Sequence, residues 1–287
     1  MPHISFRHWC LAVFFGLISA SISSQSLLDA FETEEEAYNV TATFKDTRVI
    51  NMQSNETPGA GVLHFVIAHR FGRINEGAYS LWGLDNASMR MAFDYGVTDR
   101  WTLGVGRSTF QKTFEASIKG KLLLQKSDFS MPFSLTFYAV AMANGMRWED
   151  PERDNLFSSR LSYVSQLIFT SKISERASLA LVPSLTHRNL VSITAQSHDQ
   201  FSVGFGGRYK MTHRMSINSE YHLPIAGLDD GTTNSLSLGV DIETGGHVFQ
   251  LHITNSQGMF ERAFLTETIG KWSQGDLFFG FNLSRVF

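Results

Sequence analysis

Cysteine occurs once in the 287 residues and proline six times, and no long apolar run follows the N-terminus. The single Cys10 excludes a disulfide framework and any cysteine-rich zinc or iron–sulfur site. A spanning helix needs about 20 consecutive apolar residues, so a helical membrane bundle is excluded. Neither charge dominates: 24 Lys and Arg face 27 Asp and Glu, a net charge of −3 that gives nucleic acid no electrostatic footing. What the chain has in quantity is aromatic rings, with 24 Phe, 7 Tyr and 5 Trp, far too many for a disordered polymer.

The first residues read as an address. His3, Arg7 and His8 precede an apolar stretch from Trp9 to Ile18, and small residues follow from Ser19 to Ser24. A basic start, a short apolar centre and a small-residue exit describe a secretory signal over 1–24, which would carry Cys10 away with it. Residues 25–61 then form a periplasmic N-terminal extension or a plug folded into a lumen. The stretch from Phe44 to Met52 is too polar for a lipid-facing strand.

From Leu63 onward the hydrophobic period is two, the mark of strands with unlike faces. Ala87, Met89, Met91, Phe93 and Tyr95 share one face, opposite Ser88, Arg90, Ala92 and Asp94. Phe201, Phe205 and Tyr209 oppose Ser202, Gly204 and Arg208, and Leu236, Leu238 and Val240 oppose Ser237, Gly239 and Asp241. The pattern predicts twelve strands near 63–71, 86–95, 101–110, 114–125, 133–143, 156–169, 177–187, 200–210, 215–223, 235–243, 247–255 and 275–287. Short links such as 96–99, 171–176, 211–214 and 244–246 alternate with long ones at 72–85, 144–155, 188–199, 224–234 and 256–270; 111–113 is a tight exception. Tilted strands with short turns at one end and long loops at the other describe an all-β, closed antiparallel transmembrane barrel over 62–287. A secreted sandwich would share the alternation but has no reason to alternate its loop lengths. The chain closes on Phe287, a terminal aromatic of the kind read by the bacterial barrel-assembly machinery, although Arg285 interrupts the apolar face before it.

In a barrel the polar face lines the lumen. The strand phases place there Arg90, Asp94, Glu115, Lys119, Lys121, Arg160, Arg208, Lys210, Glu220, His222, Asp241, Glu243 and His252. This near-balance of charge reads either as a salt-bridged filling or as a polar conduit with sectors of each sign. Arg107 falls on the lipid face, where it must snorkel or follow a bulge. Arg70, Arg73 and Asp85 flank the first long loop and are candidates for tying its base together or for holding an anion.

The segments FKDTRVINMQS (Phe44–Ser54), HRFGRINEG (His69–Gly77) and LWGLDNASMRMAFDYGVTDRWTLGVGRS (Leu81–Ser108) resemble an uncharacterised family of bacterial outer-membrane β-barrel proteins, a domain of unknown function. The resemblance runs over roughly 40–287 and implies a barrel and export. It implies no activity, ligand or catalytic residue.

Searches for chemistry return little. No Gly-x-Ser-x-Gly occurs, the histidines lack metal-ligand spacing, and His252 and His222 have no nucleophile beside them in sequence. Asp229-Asp230-Gly231 is a thin calcium motif. The expectation is a non-enzymatic outer-membrane barrel without cofactor or metal, in contact with outer-membrane lipid. Its first reading is a channel or transporter for a small solute. A closed structural barrel whose long loops bind an envelope protein and a lipid-modifying enzyme are the alternatives.

Overall fold

The computed structural model describes residues 37–287; the signal assigned to 1–24, with Cys10, lies outside the described residues. Twelve strands run in order: β1 (Leu63–Arg73), β2 (Ala87–Gly96), β3 (Trp101–Ser108), β4 (Phe114–Leu123), β5 (Ser134–Ala143), β6 (Leu161–Lys172), β7 (Ala177–Arg188), β8 (Asp199–Lys210), β9 (Met215–Ala226), β10 (Ser235–Thr244), β11 (His247–Thr254) and β12 (Phe278–Val286). Each pairs antiparallel with its neighbours, and β12 returns to β1, so the sheet closes into a barrel. Closure is what allows strands to lie in lipid, because it leaves no sheet edge of unpaired N–H and C=O groups. The seam extends past β12: Phe287 and Leu63 exchange main-chain hydrogen bonds of 2.8 and 3.1 Å. The Phe287 ring faces outward with the Arg285 guanidinium 4.7 Å above it, which is how the cation that breaks the apolar face is accommodated.

The alternation read from the sequence is the alternation of the wall. Phe93, Tyr95, Leu103, Val105, Ile118, Leu181, Phe205, Ile217 and Leu238 point out and are exposed, forming the apolar belt that meets lipid. Arg107 does lie on that face, in a regular part of β3, with its guanidinium 5.2 Å over the Phe114 ring. On β4 a bulge between Lys121 and Leu123 turns Leu122 and Leu123 both outward and returns Gln125 to the interior. Pro183 lacks an N–H, and the β6–β7 ladder is interrupted there, between the pairs Gln166–Ser184 and Phe169–Leu181.

The connections on one side are short, 97–100, 173–176, 211–214 and 245–246, except for the ten residues 124–133 between β4 and β5. On the other side 74–86, 144–160, 189–198, 227–234 and 255–277 are long, and 109–113 is tight because Gln111 and Lys112 both adopt positive φ. The 255–277 connection folds back over the barrel and carries one short helix, α1 (Glu261–Thr266), nearly all of it buried. Residues 39–287 form one compact unit, and its enclosed interior is built from the inward faces of the strands, α1 and the segment 43–55.

Candidate functional site

The interior of the barrel is occupied by the chain itself. Residues 47–54 form a tight hairpin, with Val49 N–H donating to Met52 O at 2.7 Å, Ser54 N–H to Thr47 O at 3.0 Å, and Arg48 bridging Gln53. Its tip rests on one carboxylate of the wall. Glu220 of β9 accepts the main-chain N–H groups of Ile50, Asn51 and Met52 at 2.9–3.0 Å and the Asn51 amide at 2.8 Å. Three successive amides converging on one anion make a nest that satisfies a buried charge completely. Each such charge-assisted bond is worth about 1.5–3 kcal/mol, so Glu220 is the strongest single anchor.

Other wall side chains also hold main-chain atoms of the segment. Lys119 donates to Thr47 O at 2.8 Å, Gln250 to Val49 O at 2.6 Å and Asn282 to Ile50 O at 3.2 Å. Arg208 bonds Ala42 O and Thr43 O at 3.2 and 3.1 Å. Side-chain pairs finish the seating: Arg70 to Asn51 at 2.9 Å, His64 to Asp46 at 2.9 Å, and Lys45 to Glu243.

The long-loop side closes on the same segment. Glu261 of α1, fully buried, takes the Arg48 guanidinium at 2.7 Å and the Gln53 amide at 2.8 Å. Burial alone would raise its pKa, yet the Arg48 and Arg90 charges and the Gln53 hydrogen bond hold it below the ordinary carboxylate value. Arg90 in turn makes a two-pronged contact with Glu115 across the β2–β4 wall, at 2.7–3.1 Å. Opposite the charges the wall carries an apolar patch among Thr136, Gln166 and Ser184. Tyr138, Val140 and Met142 of β5, Val164 and Ile168 of β6 and Val182 of β7 pack with Phe44, Val49 and Met52 of the segment and Phe260, Phe264 and Leu265 of the loop. A cavity of about 20 Å³ remains beside Asp46, Asn51, Arg90 and Asn282, room for one water.

The residues singled out from sequence fall into three groups. Arg90, Glu115, Lys119, Arg208, Glu220, His222, Asp241 and His252 are buried inside the barrel. Asp94, Lys121, Lys210 and Glu243 share the inward phase but sit near the short turns, only partly covered; Asp94 lies 3.6 Å from His64. Arg160 is a correction. Strand β6 begins at Leu161, so Arg160 belongs to the preceding 3-10 turn, stacked over Trp148 and bonded to Asn144 O.

The loop-base trio also separates. Arg70 is completely buried and points inward to Asn51, Ser256 O and His252. Arg73 faces Asp276 at 3.5 Å, and Asp85 is exposed on its loop and pairs with neither arginine. Asp229 is claimed by Arg188, two contacts at 2.6 and 3.1 Å, which takes it from the calcium reading. His222 packs against Phe264 and His252 against Arg70, both inside and away from lipid.

Sequence reasoning missed His64, Gln250, Asn282 and Glu261. The first three have the inward phase of their strands, a signal already available. Glu261 has none, since a six-residue helix shows no usable periodicity.

No curated protein matches the chain. Among solved structures, the KdgM porin in complex with disordered oligogalacturonate overlays with a TM-score of 0.48 at 7% identity, over 78% of this chain and 98% of that one. An outer-membrane channel from Pseudomonas putida F1 overlays with a TM-score of 0.47 at 14% identity, over 81% and 97%. Overlays this loose say nothing about what passes through or binds. The family match is of another kind, spanning residues 44–287, from the buried hairpin to the seam residue Phe287. The chain belongs to the membrane-bound β-barrel domain family DUF5777.

Proposed function

We propose that the protein is an outer-membrane channel or transporter for a small solute, held closed by its own N-terminal hairpin acting as a plug. The carrying observation is the chemistry of the seat. Lys119, Arg208, Glu220, Gln250 and Asn282 meet the plug through hydrogen bonds to its main chain. Those side chains would be hydrated once the plug withdrew, leaving a polar track with charges of both signs. Twelve strands enclose more width than wall side chains fill, since about eight strands already use the whole interior for side chains. A chain segment fills the remainder, and a segment can leave where a wall residue cannot. In this reading the apolar belt meets outer-membrane lipid and Phe287 is the feature taken up by the barrel-assembly machinery.

A second reading is supported by the apolar wall of β5–β7. Withdrawal of the plug would expose Met142, Ile168 and Val182 to water, which favours a permanently closed barrel whose long loops bind an envelope protein.

Conductance of the full-length protein in planar bilayers separates the two. Wild type is expected to be silent, and Glu220→Leu, which removes the main anchor, is expected to pass current. A variant whose hairpin is released by hydrogen exchange and which still passes no current would leave the closed-barrel reading, with loop-dependent partner recovery as its own test.

A further inference from the structure

Part of the hairpin's seat is one that any polypeptide of suitable shape could satisfy. Of the wall side chains that grip it, Lys119, Arg208, Gln250 and Asn282 donate to main-chain carbonyls, and Glu220 accepts main-chain amides. Main-chain groups are common to all sequences, so these bonds give affinity without reading side chains, while Glu220 to the Asn51 amide, Lys119 to Gln53 Oε1, Arg70 to Asn51 and His64 to Asp46 do read them. Selectivity comes from those side-chain contacts and from shape. The wall has glycine where the hairpin's apolar side chains arrive: a Cβ at Gly206 would stand 2.1 Å from the Met52 methyl, and one at Gly239 3.1 Å from Ile50 Cδ1. Met52 therefore enters a pocket that exists because the wall omits a side chain at Gly206, and Ile50 lies against the bare backbone of Gly239. Backbone anchors alternating with side-chain pockets are how proteins bind peptides, and this pairing of features is built into the wall rather than into the plug.

We propose that the lumen is a polypeptide-binding track, and that residues 42–53 occupy it in place of a peptide loop supplied in trans. The track accepts a turn with two apolar side chains at its tip, its amides on Glu220 and its carbonyls on Gln250 and Asn282. The inference rests on the reading of the hairpin as displaceable, and it names the class of molecule that takes its place.

The test uses the full chain with its own hairpin unseated. Met52→Glu sets a carboxylate against Gly204 and Gly206 and beside Glu220, and Asn51→Pro removes one anchoring amide and is the substitute if the first variant fails to assemble. Folding is verified by heat-modifiable gel mobility. A fluorescent synthetic peptide of residues 42–56 is then titrated and followed by anisotropy. It should bind the unseated protein about tenfold or more tighter than wild type, because wild type carries a competitor in cis. Unrelated peptides with an apolar-tipped turn should displace it, and adding Glu220→Leu should weaken it by about a hundredfold or more.

Absence of binding to a folded variant overturns the proposal. So does binding indifferent to Glu220→Leu, or displacement by an oligosaccharide but not by unrelated peptides. Anisotropy does not depend on conduction. A barrel that binds peptide and passes no current would sink the channel reading and leave this one standing.

Discussion

Two parts of one lumen hold the same hairpin by different physics. The wall that includes β4, β8, β9, β11 and β12 grips main-chain atoms through Lys119, Arg208, Glu220, Gln250 and Asn282. The wall formed by β5–β7 presents Tyr138, Val140, Met142, Ile168 and Val182 and packs against side chains. Polar anchors are directional and can be exchanged for water; apolar contacts have no such replacement. The charged wall therefore sets where the hairpin sits, and the apolar wall sets how costly it is to leave empty.

The comparison breaks most sharply at Glu220. Glu220→Leu leaves three buried amides unpaired at about 1–3 kcal/mol each, so exchange over residues 44–54 should rise by orders of magnitude in a barrel that is still folded. Unchanged exchange would assign the seating to the apolar wall. Met142→Ala, opposite it, opens a cavity and should destabilise the closed interior by about 2–5 kcal/mol. Thermal loss of the fast-migrating gel band reads that effect. Gly206→Ala comes next. Its Cβ would stand 2.1 Å from the flexible end of Met52 and 3.3 Å from Ala180 Cβ, so a cost of about 1–3 kcal/mol in hairpin protection is expected.

Acid sharpens the contrast by acting on the charged contacts and not on the apolar wall. The Glu261 carboxyl titrates below 4.5 in the folded chain, so its ionised form stabilises the loop–hairpin contact above that pH. The contribution is lost as pH falls through the lowered folded value. The protection factors of the Arg48–Gln53 amides should fall in acid, and Glu261→Gln should remove part of that response. The smallest effect belongs to the outer rim, where Arg285→Ala removes an exposed cation over Phe287, worth about 0.5–1 kcal/mol. A change in hairpin exchange there would contradict the separation of seam from lumen.

The strands and their phase were legible because lipid on one side and a polar interior on the other impose a period of two on each strand. On β2 every second residue from Met89 to Tyr95 is apolar, and the partners Arg90 and Asp94 are not, so the inward face can be read directly. The same rule fails on β5. Phe137, Tyr138, Ala139, Val140, Ala141 and Met142 are apolar on both faces, because their inner side meets the hairpin and α1 rather than water. Arg160 was misplaced for a related reason: the alternation continues one residue beyond the ladder, and only hydrogen bonding decides where β6 starts.

The amino-acid sequence by itself determined the number of strands, the lipid face and the side of the long loops, since these follow from local periodicity and length. The tertiary structure alone decided that the hairpin 47–54 fills the lumen and that Glu220, Glu261 and Arg70 converge on it. Those contacts join residues 19 to 213 positions apart, and no local pattern records a partner that distant.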